Sequence, residues 1–280
     1  MRTLLLLPAF SLLIPPSLSA PSTAAPAQTQ AQPQAQADFH PATCEGSYPR
    51  HLQGVCTNDR DAIYWCWTDC LVKTDRDGRL LKRIEVQSHH GDLCHHQGRI
   101  HVATNLGKFN RPAGEADNWV YVYAADDLRE LARHPLPEVL HGAGGITSRA
   151  GHFFVVGGLP PGAKDNLVYE YDADFHFLKA HQLGSGYSLM GIQTAAHHQG
   201  QFWFGCYGKP AVLLRADAQL RCTGRWDFNA SVGIVPISGG RFLIAENKAT
   251  QGPDGKTKSN RARLRLAQPD PNQGLILTGP

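Results

Sequence analysis

Histidine sits in this sequence where chemistry could be done. His51, His89, His90 and His141 each introduce a short glycine-containing stretch: HLQGV, HHGDL and HGAGG. An unperturbed imidazole titrates near pH 6.5, so each can take or give a proton under ordinary conditions. His51, His90 or His141 acting as base, with Asp92 or Glu246 to orient it or bind metal, is the equipment of a hydrolase or a lyase. His89, His90 and His141 are also a plausible ligand set for a divalent metal ion, the one cofactor this pattern suggests. Polar and aromatic residues at equivalent places could bind a ligand. Gln53, Asn105, Gln193 and Glu246 offer hydrogen bonds, and Trp67 and Tyr207 offer flat faces for a sugar or another small molecule. Each also has a plainer role. Asp92 could cap a turn, Gln193 could satisfy a neighbouring backbone, and Trp67 and Tyr207 could pack between elements.

These residues matter together only if the chain brings them together, and a repeat provides the means. Five units share one grammar: a Gly-containing lead-in to a short apolar strand, a turn, a stronger β-branched or aromatic strand, a third strand ending in an Asp-rich turn, and a fourth carrying Leu. AIYWCW, HFFVVGG and QFWFGCY are examples of its stronger strands, and NWVYVYA and NLVYEYDAD of its third. The period of roughly 40–50 residues suits a four-stranded propeller blade. No amphipathic helix of normal length interrupts the units. The expected fold is all-β, a five-bladed propeller over residues 40–280. A β-sandwich is the competitor, but it has no need of this recurrence. Ring closure by the segment before His51 or by the C-terminal LIL remains open.

In a propeller the first strand of each blade lines the central channel. The lead-in to that strand and the loop between second and third strands share one rim. That rim then carries His51, Gln53, His89, His90, Asp92, His141 and Gln193, with Trp67, Asp69, Asn105, Tyr207, Glu246 and Asn247 at nearby strand ends. It also carries the long loops LGKFNRPAGEAD, LPPGAKD and KATQGPDGKTKS. Long loops on a rigid scaffold often carry function. The second histidine pair of HHGDLCHH, His95 and His96, falls at the opposite rim. It recurs as His197 and His198 in the string HHQG, which suggests a shared turn.

HGAGG does not link a strand to a helix, so it is no phosphate loop, and no G-x-S-x-G serine elbow is present. The seven cysteines lack zinc-site spacing. Cys66 and Cys70 flank a hairpin and could form a disulfide; Cys56 and Cys94 occupy matching inner-strand positions in adjacent units.

Arg2, the apolar run from Leu4 to Ile14 and the small residues Ser17, Ser19 and Ala20 read as a signal peptide over residues 1–20. The Pro-, Ala- and Gln-rich tract 21–39 reads as a disordered linker. The expected location is secreted or periplasmic, with no membrane span after cleavage. The net charge of +3 on 280 residues gives no nucleic-acid footprint.

HLQGV, followed by LVKTDRDGRLLKRI, resembles the first blade of the five-bladed glutaminyl-peptide cyclotransferases. These are secreted proteins that convert N-terminal glutamine to pyroglutamate. The likeness spans about one blade. It implies the propeller fold and offers that activity as one possibility, without assigning any residue. A small-molecule or glycan site on the histidine-bearing rim is the leading expectation. A non-catalytic rim that binds a ligand or a protein is the alternative.

Overall fold

The structure, a computed structural model, describes residues 39–251 and 258–279. The expected signal peptide and all but the end of the expected linker lie outside the described residues. Phe39 is already buried in the folded domain.

Twenty strands form five four-stranded antiparallel sheets. The first blade holds β1 (Leu52–Thr57), β2 (Ala62–Trp67), β3 (Cys70–Asp75) and β4 (Leu80–Glu85). The second holds β5 (His90–His96), β6 (Arg99–Asn105), β7 (Asn118–Ala124) and β8 (Glu130–Pro135). The third holds β9 (Ala143–Arg149), β10 (His152–Gly157), β11 (Leu167–Tyr171) and β12 (Phe177–Gln182). The fourth holds β13 (Leu189–His198), β14 (Gln201–Tyr207), β15 (Val212–Ala216) and β16 (Cys222–Asp227). The fifth holds β17 (Ile234–Pro236), β18 (Phe242–Gln251), β19 (Lys258–Asp270) and β20 (Gly274–Thr278). Sheet order follows chain order in every blade, as a five-bladed β-propeller requires.

Burial explains the strand chemistry. β1 and β2 are buried along their whole length, whereas β4 is almost wholly exposed. The first four blades run from a closed centre to a wet edge. The inner strands crowd so closely that a Cβ on Gly91 would lie 2.6 Å from the Gly144 carbonyl oxygen. Two of the first hairpins turn on Gln97-Gly98 and Gln199-Gly200, all four residues at positive φ. This is the turn that matches strand twist, and it accounts for the repeated HHQG. Asp75, Asp172 and Asp217 each accept backbone N–H bonds from residues two and four further on, which accounts for the Asp-rich third turn.

Five apolar clusters fill the spaces between blades. Between the fifth and first blades, Trp65, Trp67 and Leu243 pack with Tyr48. The same segment closes the ring. Cys44 N–H donates to the Ala262 carbonyl (3.0 Å), and Tyr48 and Asn260 exchange backbone bonds (3.0 and 2.8 Å). β20 pairs only with residues 266–270 of β19, so the chain before His51 occupies the remaining length of the fifth blade's outer edge.

Three expectations change. Cys66 and Cys70 do not face one another, because Cys66 is opposite Leu71 and Cys70 is opposite Trp67. That one-residue offset sends the two thiols to opposite faces of the sheet, into different clusters. All seven cysteines are free. KATQGPDGKTKS is not all loop: Lys248 to Gln251 pair with Lys258 to Arg261, extending the hairpin. Trp67 is fully buried and stacked on Tyr48, with ring centroids 4.0 Å apart, so it offers no face to a ligand.

One ionic cluster yields a prediction on stability. On the third blade, Glu170 accepts from His152 Nδ1 and His181 Nε2, both at 2.7 Å. Burial pushes this carboxyl up, but the two imidazoles outweigh it and hold it below the usual carboxylate range. A depressed carboxylate stabilises the fold above its unfolded value, about 4.3, and that contribution fades as the pH falls through the folded value. Glu170→Gln should therefore lower the urea midpoint at pH 7 and flatten its decline between about pH 4.5 and 3. An unchanged acid limb would show that the cluster carries no such coupling.

Candidate functional site

The channel mouth on the lead-in rim holds a pocket of about 160 Å³. Its polar wall comes from the start of the first two blades. Gln53 is buried on β1, and its carboxamide nitrogen lies 2.9 Å from His51 Nε2, 3.0 Å from His89 Nε2 and 3.1 Å from Thr68 Oγ. An amide nitrogen has two hydrogens, so three acceptors compete for two donors. An imidazole that accepts at Nε2 carries its proton on Nδ1 and is neutral. Burial by surrounding protein lowers the pKa of His51, with Arg50 adding to the effect. Burial lowers His89 too, and the neighbouring His51 adds to it. Both rings keep an edge open to solvent at the mouth.

The hairpin between β2 and β3 explains why these side chains meet. Thr68 N–H donates to the His51 carbonyl (3.4 Å), and His90 N–H donates to the Thr68 carbonyl (3.2 Å). One residue of the first blade thus fixes the start of β1 and the start of β5.

The apolar lining comes from the second, third and fourth blades. Phe109, Met190 and Tyr207 form it, with Ala143 and Gly144. Phe109 lies in the long loop between β6 and β7. Asn105 pins that loop, its Oδ1 accepting from Gly107 N–H (3.1 Å) and Asp117 N–H (3.0 Å). Gly142, at φ 104°, leaves room for the Phe109 ring, which any Cβ at that position would strike. Met190 holds an unusual positive φ of 58°. Its carbonyl accepts from Gln193 Nε2 at 2.8 Å, so Gln193 both lines the pocket and fixes its neighbour. Burial raises the Tyr207 phenol, which has no hydrogen-bond partner among the described residues.

His51, Gln53, His89, Gln193 and Tyr207 thus come together. The other expected site residues do not line this pocket. His90 points between blades. Its Nδ1–H donates to the Gln87 carbonyl (2.7 Å), and Tyr123 O–H donates to its Nε2 (2.8 Å). Burial pushes it down to about 4, so the ring is neutral. His141 Nδ1–H donates to the Arg111 carbonyl at 2.9 Å, tying the ring to the long loop. Among the described residues no three His, Cys, Asp or Glu side chains gather as a metal set, so His89, His90 and His141 do not form the expected one. Asn105 acts through the loop it holds. Glu246 lies on the fifth blade, bound to Arg263.

Asp92 lies deeper in the channel, 2% exposed. The backbone N–H of Ala195 donates to its carboxyl group at 2.9 Å, and the backbone N–H groups of Leu93, Ile146 and Val55 add to the stabilisation of its charged form. Burial pushes its pKa up against the effect of those N–H groups. The donors belong to β13, β5, β9 and β1, so the side chain is a bolt through four blades rather than a partner for a histidine base.

Sequence reasoning passed over Phe109 and Met190. An aromatic within the polar loop LGKFNRPAGEAD was the available signal for the first. Met190 owes its place to a backbone conformation that composition does not reveal.

No protein-family model and no curated protein matches the sequence. Among solved structures the chain is similar to a protein of unknown function from Bacteroides caccae: 14% identity, TM-score 0.48, covering 74% of this chain and 82% of that one. It is also similar to hydrazine synthase of Kuenenia stuttgartiensis, at 10% identity and TM-score 0.46 over 81% of this chain and 65% of that one. A chain of a nidogen/laminin complex gives 9% identity and TM-score 0.47, over 70% and 72%. The five sheets themselves, not these neighbours, carry the description of the fold.

Proposed function

We propose that this is an exported propeller that binds a compact polar ligand at the mouth of its channel. One observation carries the reading: His51 and His89, from adjacent blades, meet on a single amide nitrogen in a pocket that Phe109 and Tyr207 also line. A volume of about 160 Å³ is below the roughly 300–1,000 Å³ of drug-sized sites. The ligand is then a small molecule or the terminal unit of a longer one, such as a single sugar. Phe109 and Tyr207 supply its stacking surface, and the leftover acceptor on Gln53's partners supplies its polar contact.

The same pocket is equipped for proton transfer. Two neutral imidazoles open to solvent are suited to act as general base in a lyase or hydrolase. The experiment is a fragment screen by NMR on the full chain, with a glutaminyl dipeptide and monosaccharides included. Binding fragments should shift His51, Gln53, His89 and Tyr207, and Tyr207→Ala should weaken them about tenfold. Hits that cluster elsewhere, or that ignore Tyr207→Ala, would refute the assignment. Turnover of any binder should fall in His51→Ala or His89→Ala if the site is catalytic, and stay absent if it only binds.

A further inference from the structure

The fifth blade carries a second, larger hollow of about 550 Å³ on the outer half of its extended hairpin. Four of its lining side chains form a charge ladder across β18 and β19. Glu246 is opposite Arg263, and Lys248 is opposite Arg261. The first pair is satisfied: Arg263 Nε donates to Glu246 Oε2 at 2.7 Å, and Arg265 approaches the other oxygen at 3.6 Å. The second pair sets two cations directly opposite one another. Such positions bring Cβ atoms within about 4.5–5.5 Å, and like charges there are destabilising. Neither Lys248 nor Arg261 has an ion pair among the described residues. Asn229 sits in the same hollow. Its Oδ1 accepts from Ser231 N–H and O–H, which leaves its amide hydrogens free to donate.

We infer that this hollow is a binding site for an oxyanion, held between Lys248 and Arg261 with Asn229 as a neutral donor. A phosphate, sulfate or carboxylate placed there removes the repulsion that the hairpin otherwise bears. Its nearness to the central pocket follows from one contact: Leu52 N–H donates to Asn247 Oδ1 (3.1 Å), Asn247 lines the hollow, and His51 and Gln53 flank Leu52. The site does not depend on the central pocket being occupied.

The test is an NMR titration of the full chain with inorganic phosphate, inorganic sulfate and galacturonate, each at fixed ionic strength, with galactose as the uncharged control. Phosphate or galacturonate should shift the amides of Asn229, Lys248 and Arg261, and galactose should not. Preference for phosphate and sulfate would mark an ester-bearing ligand; preference for galacturonate would mark an acidic sugar. The double variant Lys248→Gln, Arg261→Gln should bind about tenfold more weakly, and Lys248→Arg should retain binding. Tyr207→Ala should leave phosphate binding unchanged, which separates this site from the central pocket. Equal responses to phosphate and galactose, or binding unaltered in the double variant, would overturn the assignment.

Discussion

Asp92→Ala should lower the unfolding free energy by about 2 kcal/mol. The alanine leaves the buried Ala195 N–H without its acceptor and removes the charge that the Leu93, Ile146 and Val55 N–H groups stabilise. Each buried donor left unpaired costs roughly 1–3 kcal/mol, less where water can enter the space. Those donors lie on the inner strands of four blades, so the loss is shared by the whole ring. Asp92→Asn keeps one carbonyl oxygen and should lose about half as much. Urea denaturation of the three proteins measures the difference. A loss below about 1 kcal/mol in Asp92→Ala would mean that the carboxyl group is not the bolt described here.

Gln53→Glu should move two histidines at once. The carboxylate would stand about 3 Å from both imidazoles, in place of an amide nitrogen 2.9 Å from His51 and 3.0 Å from His89. A neighbouring negative charge favours imidazolium, raising the proton affinity of each ring roughly tenfold or more. In the parent protein both rings titrate below their ordinary value. A depressed histidine makes the fold lose stability as the pH falls from about 6.5 through the folded value, because the unfolded chain binds the proton more tightly. In Gln53→Glu the sign reverses. The added stability is complete below about pH 6.5 and lost as the pH rises through the new, higher values. Urea midpoints at pH 5.5 and 8.5 should therefore change order between the two proteins. The same order in both would place the rings apart from residue 53.

The architecture was legible because each blade repeats its own chemistry. Buried strands such as AIYWCW, the Asp-led third turn and the HHQG hairpin recur at fixed places, and each has a local cause. The pocket was legible only in part. His51, Gln53, His89, Gln193 and Tyr207 could be assigned to a rim by strand order, which fixes where a lead-in emerges. Strand order does not fix which way a side chain turns. His90 follows His89 directly, and the period of two along the chain sends it between blades, where Tyr123 receives it. Asp92 looked like a base's partner because sequence proximity to His90 hid its distant N–H donor on Ala195. The oxyanion hollow was hidden for another reason. Its hairpin read as a loop, and only the register between Lys248 and Arg261 sets those charges side by side.

The most direct measurement is an NMR titration of His89 in the parent protein and in His51→Ala. The two residues are far apart in sequence and belong to different blades, so they sense one another only if the first two blades pack side by side as described. In the parent, His89 should titrate below about 6.5. In His51→Ala it should move back up, because a neighbouring positive charge no longer opposes its protonation. A His89 titration at the ordinary value, identical in both proteins, would contradict the shared pocket on which the functional reading depends.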